Sequence, residues 1–397
     1  MEEQQSLLAI FWRFLRFGFL AWGGPVAQIA MIKRELVEEE SWIEPTRFNR
    51  LLAIYQVLPG PEAHELCVHF GMMKGGRIGG LLAGMAFMLP GLILILGIAW
   101  LYQRLDLQQP LITAVFTGIQ TGVIALIVRA VHRIADHTLL DPWLWAICLA
   151  SAACAAMGVS FWVTLPAAGL VYAAASGRRY WLIAAILIAA LFLALWTGEN
   201  PMLVGSKIPA GTTELIQTGG VSPMILFLSG LKAGLLTFGG AYTAIPFVRG
   251  DAVGRGWVSE GQFLDSLALS GIIPAPLIIF ATFVGYIAGG LTGALAMTAG
   301  IFLPAFAFAL LFYDRLEQLM ENKRLHRLLE GVAAGVVGLI AVTAIQLGVN
   351  VGRSMPSLLL AAAIFAAGLS MLYFWRSKLN VPAVIFASGA AGGLLLS

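Results

Sequence analysis

Leu58–Glu65 reads LPGPEAHE in the middle of an apolar stretch, 48–73, that is otherwise fit to enter a bilayer. Proline has no backbone donor and clashes with the preceding turn. Two prolines one residue apart, Pro59 and Pro61, therefore stop a continuous helix here. Such a break is tolerated at membrane depth only where protein or a water-filled cavity surrounds it. A second stretch, 262–285, carries the same interruption as Pro274-Ala275-Pro276.

Working outward from the two breaks, the sequences around them align. Phe11–Gly24 reads FWRFLRFGFLAWGG and Phe227–Gly240 reads FLSGLKAGLLTFGG. At one offset Arg16 pairs with Lys232, Gly18 with Gly234, Gly23-Gly24 with Gly239-Gly240, Lys33 with Arg249 and Glu35 with Asp251. After a one-residue gap Trp42 meets Trp257, Phe48 meets Phe263, and Pro59 and Pro61 meet Pro274 and Pro276. A second gap brings Gly71 onto Gly285, Gly75-Gly76 onto Gly289-Gly290 and Pro90 onto Pro304. Apolar helices often look alike by chance, but not with these glycine pairs, prolines and a buried base in one order.

Composition fixes the solvent. A soluble domain carries about 25% charged residues; this 397-residue chain carries 11%, with 59% hydrophobic residues and a mean hydropathy of +0.87. The expected fold class is an all-α polytopic membrane protein. The 45 glycines suit helices that pack closely in lipid. The net charge of +3 reflects membrane-flanking Lys and Arg and points to no nucleic-acid partner. Cys67, Cys148 and Cys154 sit in apolar runs and read as small buried hydrophobes rather than a disulfide framework. The acidic start, Met1-Glu2-Glu3, lacks the basic region of a cleavable signal, so the first apolar run is expected to stay.

Besides the two broken stretches, apolar runs occur at 7–31, 78–102, 111–131, 143–157, 161–176, 181–196, 223–247, 286–312, 330–350, 356–374 and 381–396. This divides the chain into a first repeat over 1–180, a linking helix and loop over 181–222, and a second repeat over 223–397. Positive charge marks the cytoplasmic side. Lys74 and Arg77 flank a loop whose counterpart, Ala288-Gly289-Gly290, is uncharged; the next loop pair reverses this, with Arg104 against Arg315, Lys323, Arg324 and Arg327. Arg129 and Arg133 then oppose a lone Arg353. Opposite bias at each pair is what inverted repeats require. If each broken stretch crosses once, about 12–13 crossings follow, with the N-terminus inside and the C-terminus outside. Two loops fit this badly, because Arg376 and Lys378, and Lys33, Arg34 and Arg47 in the loop 33–47, would face outwards.

Inverted repeats with discontinuous helices place a transport site at their interface near mid-membrane. The half-helices starting near Glu62 and Leu277 present free N–H groups that suit an anion. The substrate-binding candidates are these breaks (Pro59, Gly60, Pro61, Pro274, Ala275, Pro276), the glycine pairs (Gly23, Gly24, Gly239, Gly240), and two bases, Arg16 and Lys232. Each base lies about 15 Å into its helix at 1.5 Å per residue, where a charge costs about 2.5–3.5 kcal/mol. Each should have a partner, either a bound anion or a structural counter-ion. Arg13, one turn away, reads as a snorkelling side chain. Glu62, His64 and Glu65, with His69, are candidates for proton coupling or counter-charge, or simply line a wet entrance. His64-Glu65-Leu66-Cys67-Val68-His69 has one residue too many for a zinc-protease motif, since five positions set two histidines about 140° apart on a helix. No metal, cofactor or nucleotide-binding loop is read.

These residues resemble the chromate ion transporter family in its two-domain bacterial form. The resemblance rests on Phe17-Gly18-Phe19, Gly23-Gly24-Pro25, Lys33-Arg34-Glu35, Trp42, Leu58–Ala63 with Glu65-Leu66-Cys67, Gly71, Gly75-Gly76-Arg77 and Phe87–Pro90. The second half repeats the pattern in Thr237–Gly240, Ile273–Pro276 and Phe302–Pro304, so essentially the whole chain is covered. It departs where Ala241 stands for Pro25 and Ala275 for Gly60, so the half-sites need not be equivalent. The resemblance implies a multi-pass bacterial inner-membrane protein that exports chromate and confers resistance, with sulfate a competitor of the same shape. A homodimer is compatible with this reading. A charge crossing 100 mV is worth about 2.3 kcal/mol, so a dianion leaving an inside-negative cell gains about 4.6 kcal/mol, which suits alternating access driven by voltage. The alternatives are a carrier of sulfate or another oxyanion and, more remotely, a membrane enzyme or sensor.

Overall fold

The structure is a computed structural model that describes residues 5–106, 109–177, 179–196, 220–313, 322–375 and 377–396. Arg315, Arg376 and the linking stretch 197–219 lie outside the described residues. The described chain is helical throughout. The first part comprises α1 (Leu7–Phe19), α2 (Gly24–Ile32, running on as a π-helical turn over Lys33–Glu39), α3 (Pro45–Val57), α4 (Glu62–Tyr102), α5 (Pro110–Thr138), α6 (Pro142–Ala156), α7 (Phe161–Ser176) and α8 (Tyr180–Trp196). Next come α9 (Pro223–Leu235), a 3-10 turn (Ala241–Ala244), α10 (Ile245–Ala252), α11 (Glu260–Gly271) and a second 3-10 turn (Leu277–Ile279). The chain closes with α12 (Phe280–Leu311), α13 (Lys323–Ser354), α14 (Leu358–Phe374) and α15 (Asn380–Leu395).

The helix starts follow local chemistry. Pro45, Pro110, Pro142 and Pro223 occupy first-turn positions, where a missing N–H costs nothing. Ser259 and Gln262 close a capping box on α11. Among the described residues four spans are long and apolar enough to cross a membrane: Glu62–Tyr102, Pro110–Thr138, Leu277–Leu311 and Arg324–Ser354. Six shorter apolar helices accompany them. The protein is an all-α, multi-pass membrane protein.

Within α4 the backbone leaves helical geometry at Gly75 (φ −138°, ψ 17°) and Gly76 (φ 62°, ψ −161°); within α12 it does the same at Gly289 (−148°, 22°) and Gly290 (62°, −156°). A side-chain-bearing residue pays for this positive φ in steric strain, so glycine is required at the second position. The chain reverses there. Gly71 lies directly against Ala83 and Gly79, a contact that residues twelve apart in a straight helix, about 18 Å away, cannot make. Gly285 meets Gly293 and Ala294 in the same way.

Other aligned positions also share contacts. Gln5 N–H donates to the Lys74 carbonyl (3.2 Å), and Val221 N–H to that of Ala288 (2.9 Å). Gly18 packs on Phe87 and Pro90 of α4, and Gly234 on Ile301 and Pro304 of α12.

Two sequence expectations are corrected by these contacts. The runs 7–31 and 223–247 are each interrupted, at Leu20–Gly23 and at Leu236–Gly240. The stretch 48–73 does not pass straight on, because Phe48 stacks on Phe70 (6.3 Å), Trp42 meets Phe70 edge-on (6.1 Å), and Lys74 Nζ lies over Trp42 (5.4 Å). Its two ends are therefore at one end of the molecule. The supposed loop 33–47 sits there too, with Glu40 paired to Arg13 and the Arg13 guanidinium 5.4 Å over Trp42. The sequence reading followed hydropathy, which records that a segment is apolar but not that it turns back.

Candidate functional site

The interrupted stretch of each half is held by the other half. Gly60 N–H donates to the Thr237 carbonyl (2.9 Å), and Pro59 faces Phe238 in an isolated antiparallel bridge. The Gln28 amide of α2 donates to the carbonyls of Ala21 (2.9 Å) and Ala275 (3.0 Å). Ala275 packs on Gly91 of α4, and Gly60 on Ala305 of α12. Gly91 and Ala305 each follow the aligned in-helix proline, Pro90 or Pro304. Thus Pro59–Pro61, Pro274–Pro276, Ala21 and Thr237 converge on one central region.

Within it, Gly60 has φ 149° and Ala275 a negative φ. A methyl group on Gly60 would fall 2.7 Å from Glu65 Oε1 and 3.2 Å from Ala305, so the difference between the two breaks is fixed by sequence. Gly23, Gly24, Gly239 and Gly240 all have positive φ and shape the turns that end α1 and α9. Gly23 lies against the Lys378 backbone, whereas Gly240 faces a carboxylate: its missing Cβ is 3.7 and 3.9 Å from the Glu62 oxygens.

Glu62, His64 and Glu65 are all buried in the first turns of the half-helix that follows Pro61. Glu62 Oε2, both Glu65 oxygens and both His64 ring nitrogens have no hydrogen-bond partner among the described residues. The His64 ring lies among Phe302 (4.9 Å), Phe306 (4.7 Å) and Phe87 (6.2 Å). His69 turns elsewhere, with Nδ1 2.9 Å from the Tyr55 hydroxyl and its ring 4.6 Å from Tyr313. The two imidazoles therefore serve different surroundings.

Arg16 and Lys232 each have a counter-ion in their own half. Arg16 pairs with Glu35. Lys232 Nζ lies 2.5 Å from Asp251 Oδ2, which also accepts from Ser229 Oγ (2.6 Å), while Arg255 approaches Oδ1 at 3.5 Å. Glu35 and Asp251 are aligned positions, so the same ion pair ties α1 to the turn after α2 and α9 to α10. Each base thus has a carboxylate partner in its own half, the structural counter-ion that was one of the two expected partners.

A cation that acts on Glu62 is one the sequence reading did not place in the site. Arg133 of α5 interacts electrostatically with Glu62 and with the Tyr242 hydroxyl. Its neighbour Ile134 packs on Gly239. Arg133 is partly buried and takes part in no ion pair among the described residues. Hydropathy ended the run at 131, so Arg133 read as a loop flank; the helix in fact continues to Thr138. Sequence reading also missed Asp265, buried on α11 and accepting hydrogen bonds from Tyr102 (2.6 Å) and Gln120 (2.9 Å).

A multi-pass helical protein whose interrupted helices meet around buried polar groups without partners among the described residues has the architecture of a transporter. Comparison with known sequences narrows this: the family profile described as chromate transporter matches residues 8–211 and 224–393, and the chain belongs to that family. It is 59% identical over 392 residues to the chromate transport protein of Pseudomonas aeruginosa, covering 97% of this chain and 92% of that one. It is 29% identical to the chromate transport protein of Cupriavidus metallidurans, covering 96% and 90%. An uncharacterized transporter of Methanocaldococcus jannaschii is 26% identical over 409 residues, covering 100% and 96%. No solved structure matches the chain.

Proposed function

We propose that this protein exports chromate from the bacterial cytoplasm across the inner membrane by alternating access, driven by the membrane potential, and so confers chromate resistance. The observation that carries the reading is the convergence of the two interrupted stretches, each bonded to the opposite half, beside a cation without an ion-pair partner among the described residues. The repeats over 1–180 and 223–397 rock against one another about this region, linked by 181–222. Folding two apolar stretches of a half into hairpins changes its crossings by an even number, so the odd total that inverts the halves is kept. It also returns Lys33, Arg34 and Arg47 to the side of the N-terminus, Lys74 and Arg77, in line with positive charge inside.

In this proposal the anion is held by Arg133 and by backbone at Pro59–Pro61, Pro274–Pro276, Gly23-Gly24 and Gly239-Gly240. Arg16 and Lys232 act as struts that hold the hairpins. Sulfate is the competing reading, since it shares the tetrahedral shape and double charge of chromate. Labelled chromate uptake into everted membrane vesicles, with the potential intact or collapsed and sulfate in excess, tests both. Potential-dependent uptake that survives excess sulfate supports chromate export. Block by equimolar sulfate favours a general oxyanion carrier, and no uptake refutes the proposal.

A further inference from the structure

The central region contains an anion of its own. Glu62 opens the half-helix Glu62–Lys74, where backbone N–H groups and the helix dipole favour negative charge. It is buried, its Oε2 has no hydrogen-bond partner among the described residues, and it faces the bare backbone of Gly240. In the second half the aligned residue is Leu277, which carries no charge. The groups that act on Glu62 are Arg133 from α5 and Glu65 from its own helix; Arg133 in turn acts on Tyr242 of the 3-10 turn, and His64 lies two residues along the helix.

We infer that the Glu62 carboxylate stands in for the transported anion in the empty carrier, and that binding of an oxyanion requires Glu62 to take up one proton. The inference rests on the export reading above and deepens it. An oxyanion drawn to Arg133 and the half-helix N-terminus meets the Glu62 charge at the same place, and two like charges cannot share one cation in an apolar surround. His64 offers no rescue, because it is enclosed by Phe87, Phe302 and Phe306. The proton enters from the aqueous side to which the site is open and leaves with the anion on the other side. The empty carrier returns with ionised Glu62 offsetting the Arg133 charge across the site, although the two make no direct ion pair. One cycle then moves a dianion and a proton together, so one net negative charge leaves the cell rather than two.

The test uses full-length protein. In reconstituted vesicles Glu62→Gln is expected to lower the half-saturating chromate concentration by about tenfold or more, tenfold being the low end of what one charge-assisted hydrogen bond is worth. It should also carry two charges per chromate where the wild type carries one. Comparing both proteins at each pH removes the titration of chromate itself. An unchanged half-saturation together with an unchanged charge-to-chromate ratio overturns the inference. A second measurement needs no variant: chromate added to purified wild-type protein in weak buffer, at mildly alkaline pH where free chromate carries both charges, should draw one proton from solution per anion bound. Binding without proton uptake overturns the inference and leaves the export reading intact. Absence of chromate binding and flux in the wild type overturns both.

Discussion

Replacing Asp251 decides whether Lys232 is a strut or a ligand. The Lys232 side chain is 18% exposed and that of Asp251 9%, and the two are 2.5 Å apart. Removing one partner of a buried pair leaves an uncompensated charge and costs about 3–5 kcal/mol, whereas replacing both with apolar groups is often neutral. Residual exposure of Lys232 places Asp251→Asn near the lower end, about 3 kcal/mol. Arg255 adds to this, because it too approaches Asp251 and would then face Lys232 without a carboxylate between them. The matching change in the first half, Glu35→Gln, should cost less, since the Arg16 side chain is 61% exposed where that of Lys232 is 18% exposed, so its charge is less tightly enclosed by protein. Unfolding of detergent-purified protein, monitored with denaturant, reads both values. The paired variant Lys232→Met with Asp251→Leu should recover most of the lost stability and retain chromate flux. Equal destabilisation by Asp251→Asn and Glu35→Gln would refute the burial argument. A stable paired variant without flux would make Lys232 a ligand after all.

Other consequences follow from the same contacts. Arg133→Gln should abolish saturable chromate uptake in everted vesicles while the protein still accumulates in the membrane; wild-type flux would remove Arg133 from the site. Gly76→Ala and Gly290→Ala meet no steric neighbour but force a side chain into a φ, ψ combination that only glycine adopts readily, so each should destabilise by about 1–3 kcal/mol. Gly18→Ala is more severe, because its Cβ would fall 2.6 Å from the Phe87 carbonyl oxygen and 3.0 Å from Pro90; poor accumulation of folded protein is expected. A cysteine placed at Glu38 should react with an impermeant thiol reagent from the same side as one placed at Gln5, and reaction from opposite sides would refute the hairpin made by α1 and α2.

Much of the fold was legible because prolines and glycine pairs leave marks that hydrophobic drift does not erase. Pro59-Gly60-Pro61 and Pro274-Ala275-Pro276 were read as breaks, and the described backbone leaves helix at both. Gly75-Gly76 and Gly289-Gly290 aligned in sequence and share φ and ψ to within about 10°. What sequence could not give was the direction of the chain after each break. An apolar segment that crosses and one that folds back bury the same surface in the same solvent; only contacts such as Phe48 on Phe70 separate them. The bases were legible as costly charges needing partners. Their partners were in the alignment, since Glu35 and Asp251 had already paired, but the spacing of 19 residues from each base says nothing about proximity until the hairpin is known.

The asymmetry between the halves bears on how many anions one cycle can move. Two equivalent half-sites would need matching chemistry at both breaks, and although the prolines and glycine pairs match, the polar residues beside them do not. Gly60, at φ 149°, makes room for the Glu65 carboxylate, while Ala275 keeps a negative φ and packs on Gly91. Glu62 answers to Leu277, and Pro25, in the first turn of α2, answers to Ala241 in a 3-10 turn. The break of the second half is pinned by a side chain, Gln28, and that of the first by a backbone carbonyl, at Thr237. The polar, unpartnered groups thus gather on the first half's break, while the second half contributes backbone and an apolar wall. On the proposed reading this division gives one site, with Glu62 and Arg133 on one side and Gly239-Gly240 on the other. An equilibrium-binding titration of the purified protein should accordingly saturate at one chromate per chain, and two per chain would restore equivalence to the halves.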